Sequence, residues 1–410
     1  MFSAPLTRDR DFFKLWGGQA ISKIGSTITS VGLPLTAAFV LGASPLQMGI
    51  LAGCGGAGVL VFGLFAGAWA DRLPRRSILI ATDLARAALL STIPLAAALH
   101  HLHMAQLYAV ATLSGILTVF FDASYQAYVP SLVNRAELVE ANSKLALTES
   151  IADVIGPGLT GLLVQLITAP MTILLDALSF LCSAASVWLI RRPEPRPEPG
   201  PAPHIGREIA EGLSASWGNP LLRALLQRAA IAAFFLGFIG GLFYLFAVRE
   251  LHITPVLLGI VISVGGASNL FGAVVAERLL HRLGLGRCLL GAAWMIGLAT
   301  LMVPLAHGSV ALSAAFLIAG QLGDMAWPIY NINETSLRQA VTPDRLLGRV
   351  NSAANLLFHG AYPLGALAGG VLAQSIGIRQ TMLIGALGYL LSTVRLTLSP
   401  IRHVRRLPGA

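Results

Sequence analysis

Charge is what this chain has least of. Only 11% of its 410 residues are Asp, Glu, Lys or Arg, where soluble proteins carry about 25%. Acids are the scarcer sign, 19 against 28 bases. With 55% hydrophobic residues and a mean hydropathy of +0.73, the composition excludes an ordinary soluble domain and indicates an integral membrane protein. The three cysteines, Cys54, Cys182 and Cys288, lie inside apolar runs with no CxxC spacing, so neither a disulfide framework nor a metal site is expected. No Gly-x-x-x-x-Gly-Lys-Ser/Thr loop, nucleophile elbow or HExxH pattern occurs, so neither an ATPase nor a hydrolytic enzyme is expected, and no cofactor. Met1 to Lys14 mixes Arg8, Asp9, Arg10 and Asp11 and lacks a small-residue cleavage site, which argues against a cleaved signal peptide.

The apolar residues are gathered into runs at about 12–41, 45–70, 77–99, 105–129, 139–166 and 169–190. After a break they resume at about 222–248, 255–280, 288–306, 310–335, 348–374 and 380–398. A helix needs roughly 20 apolar residues to cross a bilayer, so the pattern predicts twelve transmembrane helices in two sets of six. Barrel strands would be about ten residues long with alternating polarity, which these runs lack. The expected fold is an all-α membrane protein of two six-helix bundles, residues 1–190 and 222–410. Residues 191–221 join them: a proline-rich, solvated stretch to Gly206, then a short amphipathic helix over Glu208–Asn219 with Ile209, Leu213 and Trp217 on one side.

The net charge of +9 does not make this a nucleic-acid binder, because the basic residues form no single face. They recur on one side of successive runs. The turns near 42–45, 100–104, 167–170 and 307–309 hold no Lys or Arg, whereas Lys14, Arg72, Arg75, Arg76, Arg135, Arg191, Arg192, Arg345, Arg349 and Arg402 fall on the opposite side. This bias places both termini in the cytoplasm and makes a bacterial inner membrane the expected location. His100, His101 and His103, in an outer turn, are read as solvated rather than as metal ligands.

The two sets echo each other. A shift of about 209 residues lays Asp122-Ala-Ser-Tyr-Gln126 over Asn331-Ile-Asn-Glu-Thr335, Asn142-Ser143 over Asn351-Ser352, Gly156 over Gly365 and Gly161 over Gly370. One offset serving all of them points to duplication, with substrate expected between parallel halves near the midplane.

Between the second and third runs stands Gly67-Ala-Trp-Ala-Asp71-Arg72-Leu-Pro74-Arg75-Arg76. This clasp resembles motif A of the major facilitator superfamily: Gly67, Asp71, Arg72, Arg75 and Arg76 match, and Pro74 replaces a glycine as in the branch containing enterobactin and macrolide exporters. The loops around Val129–Ser143 and Leu337–Asn351 resemble that branch too. The resemblance implies a gate, with Asp71 and Arg72 docking near Gly348 to Asn351 when the cytoplasmic side closes. Ile155-Gly156-Pro157-Gly158-Leu159-Thr160-Gly161 resembles the superfamily's antiporter motif, in which Gly156, Pro157 and Gly161 would let a helix bend and pack closely. The sequence departs from the branch in having Ser26 after Gly25 and no motif B arginine near Asp122.

Ionisable residues inside apolar runs are costly and default to functional candidates. Asp122 and Glu334, in the equivalent fourth and tenth helices, are the first choices for proton coupling, followed by Asp153 and Glu149. Asp83 and Arg86, three apart, read as a structural ion pair, Asp176 as locally hydrogen-bonded, and Lys23 either as a partner for a carboxylate or as facing the cytoplasmic vestibule. Gln19, Ser22, Phe121, Tyr125, Trp327, Tyr330 and Asn331 are candidates to line an amphipathic cavity. The function expected is export of an amphipathic small molecule, drug or siderophore-like, by proton antiport with alternating access. The chain would work as a monomer in the lipid bilayer, with substrate and protons as its partners. Uptake or uniport of a metabolite is the alternative within transport, and a pore or receptor the alternative outside it.

Overall fold

A computed structural model describes residues 10–70, 73–194 and 205–404. Among the described residues the secondary structure is helical throughout, with no strand. The first six helices are α1 (Arg10–Phe39), α2 (Pro45–Ala70), α3 (Arg75–Ala98), α4 (Met104–Leu132), α5 (Leu138–Ile167) and α6 (Ala169–Trp188). After α7 (Ile205–Gly218) come α8 (Pro220–Gly240), α9 (Phe243–Arg249), α10 (Pro255–Leu283) and α11 (Leu285–Leu305). The chain closes with α12 (Val310–Leu322), α13 (Ala326–Val341), α14 (Leu347–Ile376) and α15 (Ile378–Thr397).

Two of the apolar runs are interrupted helices. The run read as 222–248 is α8 and α9, parted at Gly241–Leu242; the run read as 310–335 is α12 and α13, joined by the 3-10 turn Gly323–Met325. Counting each pair once and setting aside the short α7 gives twelve spans. Nine of these are long and apolar enough by themselves to cross a membrane among the described residues. With α1, α2 and α15 they make an all-α membrane protein of two six-helix bundles.

Helix starts follow local chemistry. The Asn219 side chain accepts from Leu221 N (2.9 Å) ahead of Pro220, and Thr254 accepts from Leu257 N (3.4 Å) ahead of Pro255. Both arrangements put an acceptor at the N-cap and a residue without an N–H at the first helical position.

The chain packs as two compact units, one of residues 1–43 and 57–203, the other of 44–56 and 204–410. The first residues of α2 thus count with the second unit, where Gly49 lies against the Ala366 carbonyl and Gly370 of α14. The core of unit 1 gathers Phe12, Leu15, Leu79, Tyr128 and Val187; that of unit 2 gathers Leu225, Leu289, Ile329, Tyr330 and Tyr389.

The internal echo has a packing counterpart. In unit 1, α1 packs on α5 and α6, and α3 on α4 and α6; in unit 2, α8 packs on α14 and α15, and α11 on α13 and α15. Gly156 of α5 touches Thr27 of α1 so closely that a Cβ would stand 2.5 Å from Thr27 Cγ2. Its counterpart Gly365 of α14 lies directly on the Phe234 carbonyl of α8. Small residues allow such close helix approach in membranes, and Gly156 serves as a packing joint between α1 and α5. Gly156, Pro157 and Gly161 are all buried, and α5 continues through Pro157.

α7 packs through its small residues Gly212 and Ser216: Gly212 abuts the Arg349 backbone of α14, and Glu211 pairs with the Arg349 guanidinium. Close approach selects the small residues, and Trp217 stays 51% exposed.

Candidate functional site

Three polar constellations stand out, and the first is at the arginine-rich end of unit 1. Glu194 accepts from Arg75 N (2.8 Å) and Arg76 N (3.2 Å), supplying the acceptor that the start of α3 lacks. Arg75 donates to Ala127 O (3.1 Å), Arg76 to Trp188 O (2.6 Å) and Lys14 to Leu189 O (2.8 Å), while Arg192 donates to Leu132 O. Four cations thus sit on carbonyls near the ends of α4 and α6, where the helix dipole favours positive charge. Asp71 and Arg72 lie outside the described residues, and of Gly67 only its place in α2 is described. Glu194→Ala is expected to cost about 1 kcal/mol, as for loss of a helix cap, and to lower the melting temperature in detergent. An unchanged melt would show the cap to be idle.

The second constellation joins α1, α4 and α5. Lys23 Nζ lies 2.5 Å from Glu149 Oε1, with both side chains about half exposed. Lys23 is also the principal cation acting on Asp122 and one that acts on Asp153, and Glu149 repels both. Glu149 is thus the acid in contact with Lys23, while Asp122 and Asp153 feel the same lysine at longer range and Asp122 feels Arg86 as well.

A separate pair is structural. Arg86 meets Asp83 at 2.5 Å inside α3, and its guanidinium lies 4.4 Å from the Phe121 ring and 4.2 Å from the Phe180 ring. Asp176 accepts from Ser179 Oγ at 3.0 Å, a local bond of the kind expected.

The third constellation is a cavity of about 290 Å³ within unit 2. Trp327, Tyr330, Phe358 and Tyr389 supply its aromatic lining, and Asn331, Thr335 and Asn355 its amide and hydroxyl groups. Arg228 of α8 and Glu334 and Arg338 of α13 bring charge into it. Arg338 Nη1 lies 3.1 Å from Glu334 Oε1. Arg228 is 3% exposed; its Nη2 donates to Tyr389 Oη (2.9 Å) and its guanidinium lies 3.8 Å from the Tyr330 ring centroid.

Of the residues suggested for a substrate cavity, Trp327, Tyr330 and Asn331 line this one. The others are elsewhere, in unit 1. Gln19 donates to Ser183 Oγ (2.9 Å), Ser22 and Phe121 are buried in helix packing, and Tyr125 stacks on Phe121 at 5.8 Å. Arg228 escaped the sequence reading. Its signal was an arginine more than a turn inside the seventh apolar run, with no acid three or four residues away.

Twelve spans duplicated as two bundles, with charged side chains set among their helices, define a membrane transporter. The chain belongs to the Major Facilitator Superfamily, whose profile matches residues 15–360. It is 26% identical over 401 residues to macrolide efflux protein A of Streptococcus pyogenes, covering 97% of each chain. It is 28% identical over 382 residues to the multidrug efflux pump Tap of Mycolicibacterium fortuitum, covering 90% of each. Among solved structures it resembles a bacterial homologue of the iron transporter ferroportin in an inward-facing state, with TM-score 0.78 and 19% identity over 94% of this chain and 98% of that one. A nucleoside transporter is similar at TM-score 0.74 and 12% identity, over 94% and 98%. At these identities the structural likeness speaks for the fold. All four are named as transporters or pumps, which points away from an enzyme.

Proposed function

We propose that the protein is a secondary active transporter of the bacterial inner membrane. It exports amphipathic small molecules by proton antiport, with the bundles 1–190 and 222–410 alternating access to the substrate. The observation that carries the coupling is the group of three carboxylates around Lys23, on α1, α4 and α5. One proton more or less changes which acid holds the lysine, and so changes the helix contacts. Asp122, Asp153 and Glu149 are the carriers in unit 1, and Glu334, held by Arg338, is the carrier in unit 2. The efflux relatives support the direction of transport. The basic helix ends support cytoplasmic termini. Gly67, Asp71, Arg72, Arg75 and Arg76 serve the gate, a reading supported by the bonds that Arg75 and Arg76 make to carbonyls near the ends of α4 and α6. A single chain is the working unit.

The test is proton flux in liposomes carrying the full chain, with ethidium, a macrolide and 2-naphthoate as probes. At least one probe is expected to move against a counterflow of protons. Asp122→Asn and Glu334→Gln are each expected to reduce that coupled flux tenfold or more. Full coupling in both variants removes these carboxylates from the mechanism. Probe movement with no proton counterflow removes antiport.

A further inference from the structure

The cavity of unit 2 has a charge that nothing lining it balances. Its lining holds two guanidinium groups, Arg228 and Arg338, and one acid, Glu334. Glu334 is committed to Arg338 at 3.1 Å. Arg228 is in contact with phenol and ring groups, Tyr389 and Tyr330, and feels Glu334 only at longer range than Arg338 does. The Nε–H groups of both arginines are buried without a hydrogen-bond acceptor, and Arg228 is 97% buried in all. A buried guanidinium with a free N–H, in a site of low dielectric, is built to receive an oxyanion. The neighbouring Trp327 and Phe358 rings, 6.3 Å apart between centroids, offer the same occupant an apolar surface. The volume of about 290 Å³ is near the lower end for small-ligand pockets, enough for the head of a molecule.

We propose that this cavity binds the carboxylate head of an amphipathic anion, with Arg228 as the direct partner of the carboxylate and Trp327 and Phe358 holding the adjoining apolar part. The inference rests on the transport reading for its biological setting and deepens it by naming the substrate class. Tyr330 covers one face of the Arg228 guanidinium and Tyr389 fixes one nitrogen, so the group is held in a set orientation and the remaining N–H edge is the one presented to the ligand. Glu334 keeps Arg338 neutralised, so the site selects a monoanion over a dianion. A cationic amphipath would meet Arg228 at close range and be rejected.

Purified full-length protein in detergent tests this by calorimetric titration with three matched probes: 2-naphthoate, 2-naphthamide and 2-naphthylmethylamine. Naphthoate is expected to bind at least tenfold tighter than the amide, with the amine weakest. Arg228→Gln is expected to shrink the naphthoate preference below threefold, while Trp327→Ala weakens naphthoate and amide alike. Equal binding of naphthoate and amide, tighter binding of the amine, or a preference that survives Arg228→Gln overturns the assignment. If Arg228→Gln does not yield folded protein, Arg228→Lys replaces it. That variant keeps the charge but loses the planar fork, and a naphthoate preference undiminished in it is equally fatal. The wild-type comparison decides without any variant. Failure here is separable from failure of the transport reading. Liposomes that move the amine or amide but not naphthoate would sink this proposal and leave transport standing; tight naphthoate binding with no flux of any probe would do the reverse.

Discussion

Gly365→Leu is expected to prevent the second unit from assembling. Gly365 rests on the Phe234 carbonyl, so even a methyl group there collides with backbone, not with a side chain that can turn away. Overpacking in a well-packed core costs about 1–3 kcal/mol where side chains can adjust. Here α14 would have to lift from α8 along the joint that also includes Gly237, which lies on the Tyr362 carbonyl. Gly365→Ala should already lower the melting temperature and folded yield, and Gly365→Leu should leave no folded protein in a detergent extract. Gly348 on the same helix is the control. A Cβ there meets nothing within 4 Å, and Gly348→Ala should be neutral or slightly stabilising, since alanine is the better helix former. A wild-type melt for Gly365→Leu would contradict the packing.

The second large effect concerns Asp83. Its carboxylate is fully buried and is the acid paired with Arg86, which is 4% exposed between two phenylalanine rings. Asp83→Ala would strand a buried cation, at a cost of about 3–5 kcal/mol. The double substitution Asp83→Leu with Arg86→Met removes both charges and should recover most of that loss. Thermal unfolding of the two variants, beside Arg86→Met alone, separates the attraction of the pair from the cost of an orphan. If the double variant is no more stable than Asp83→Ala, the pair is not held together by charge.

Much of the fold was legible because bilayers impose it. Run length, arginine bias and the 209-residue offset are consequences of spanning, orientation and duplication, and each leaves its mark in sequence. The pairing of Asp83 with Arg86 was legible for a local reason: three residues apart on a helix is contact distance. Lys23 with Glu149 was half legible, since a lysine in an apolar run needs an acid, but which one depends on how α1 meets α5.

Arg228 was not legible. Its partners Tyr330 and Tyr389 are far along the chain, the second 161 residues away, and aromatic rings leave no charge pattern to search for. Hydrophobic periodicity marked the side of α7 that carries the exposed Trp217, but it carries no signal for the buried side made by Gly212 and Ser216. Gln19 and Ser22 were suggested for a cavity on polarity alone; Gln19 donates to Ser183 of α6, and Ser22 is buried. The interruption at Gly241–Leu242 was hidden because both flanks are apolar, whereas the one at Gly323–Met325 falls where the apolar α12 gives way to the more polar α13.

The joint between first and fifth helices is made twice, at Gly156 and again at Gly365, each inside its own unit. The same device, a glycine set where a neighbouring helix leaves no room for a side chain, thus recurs in both halves of one chain, and bulk added at either place loosens the half that holds it.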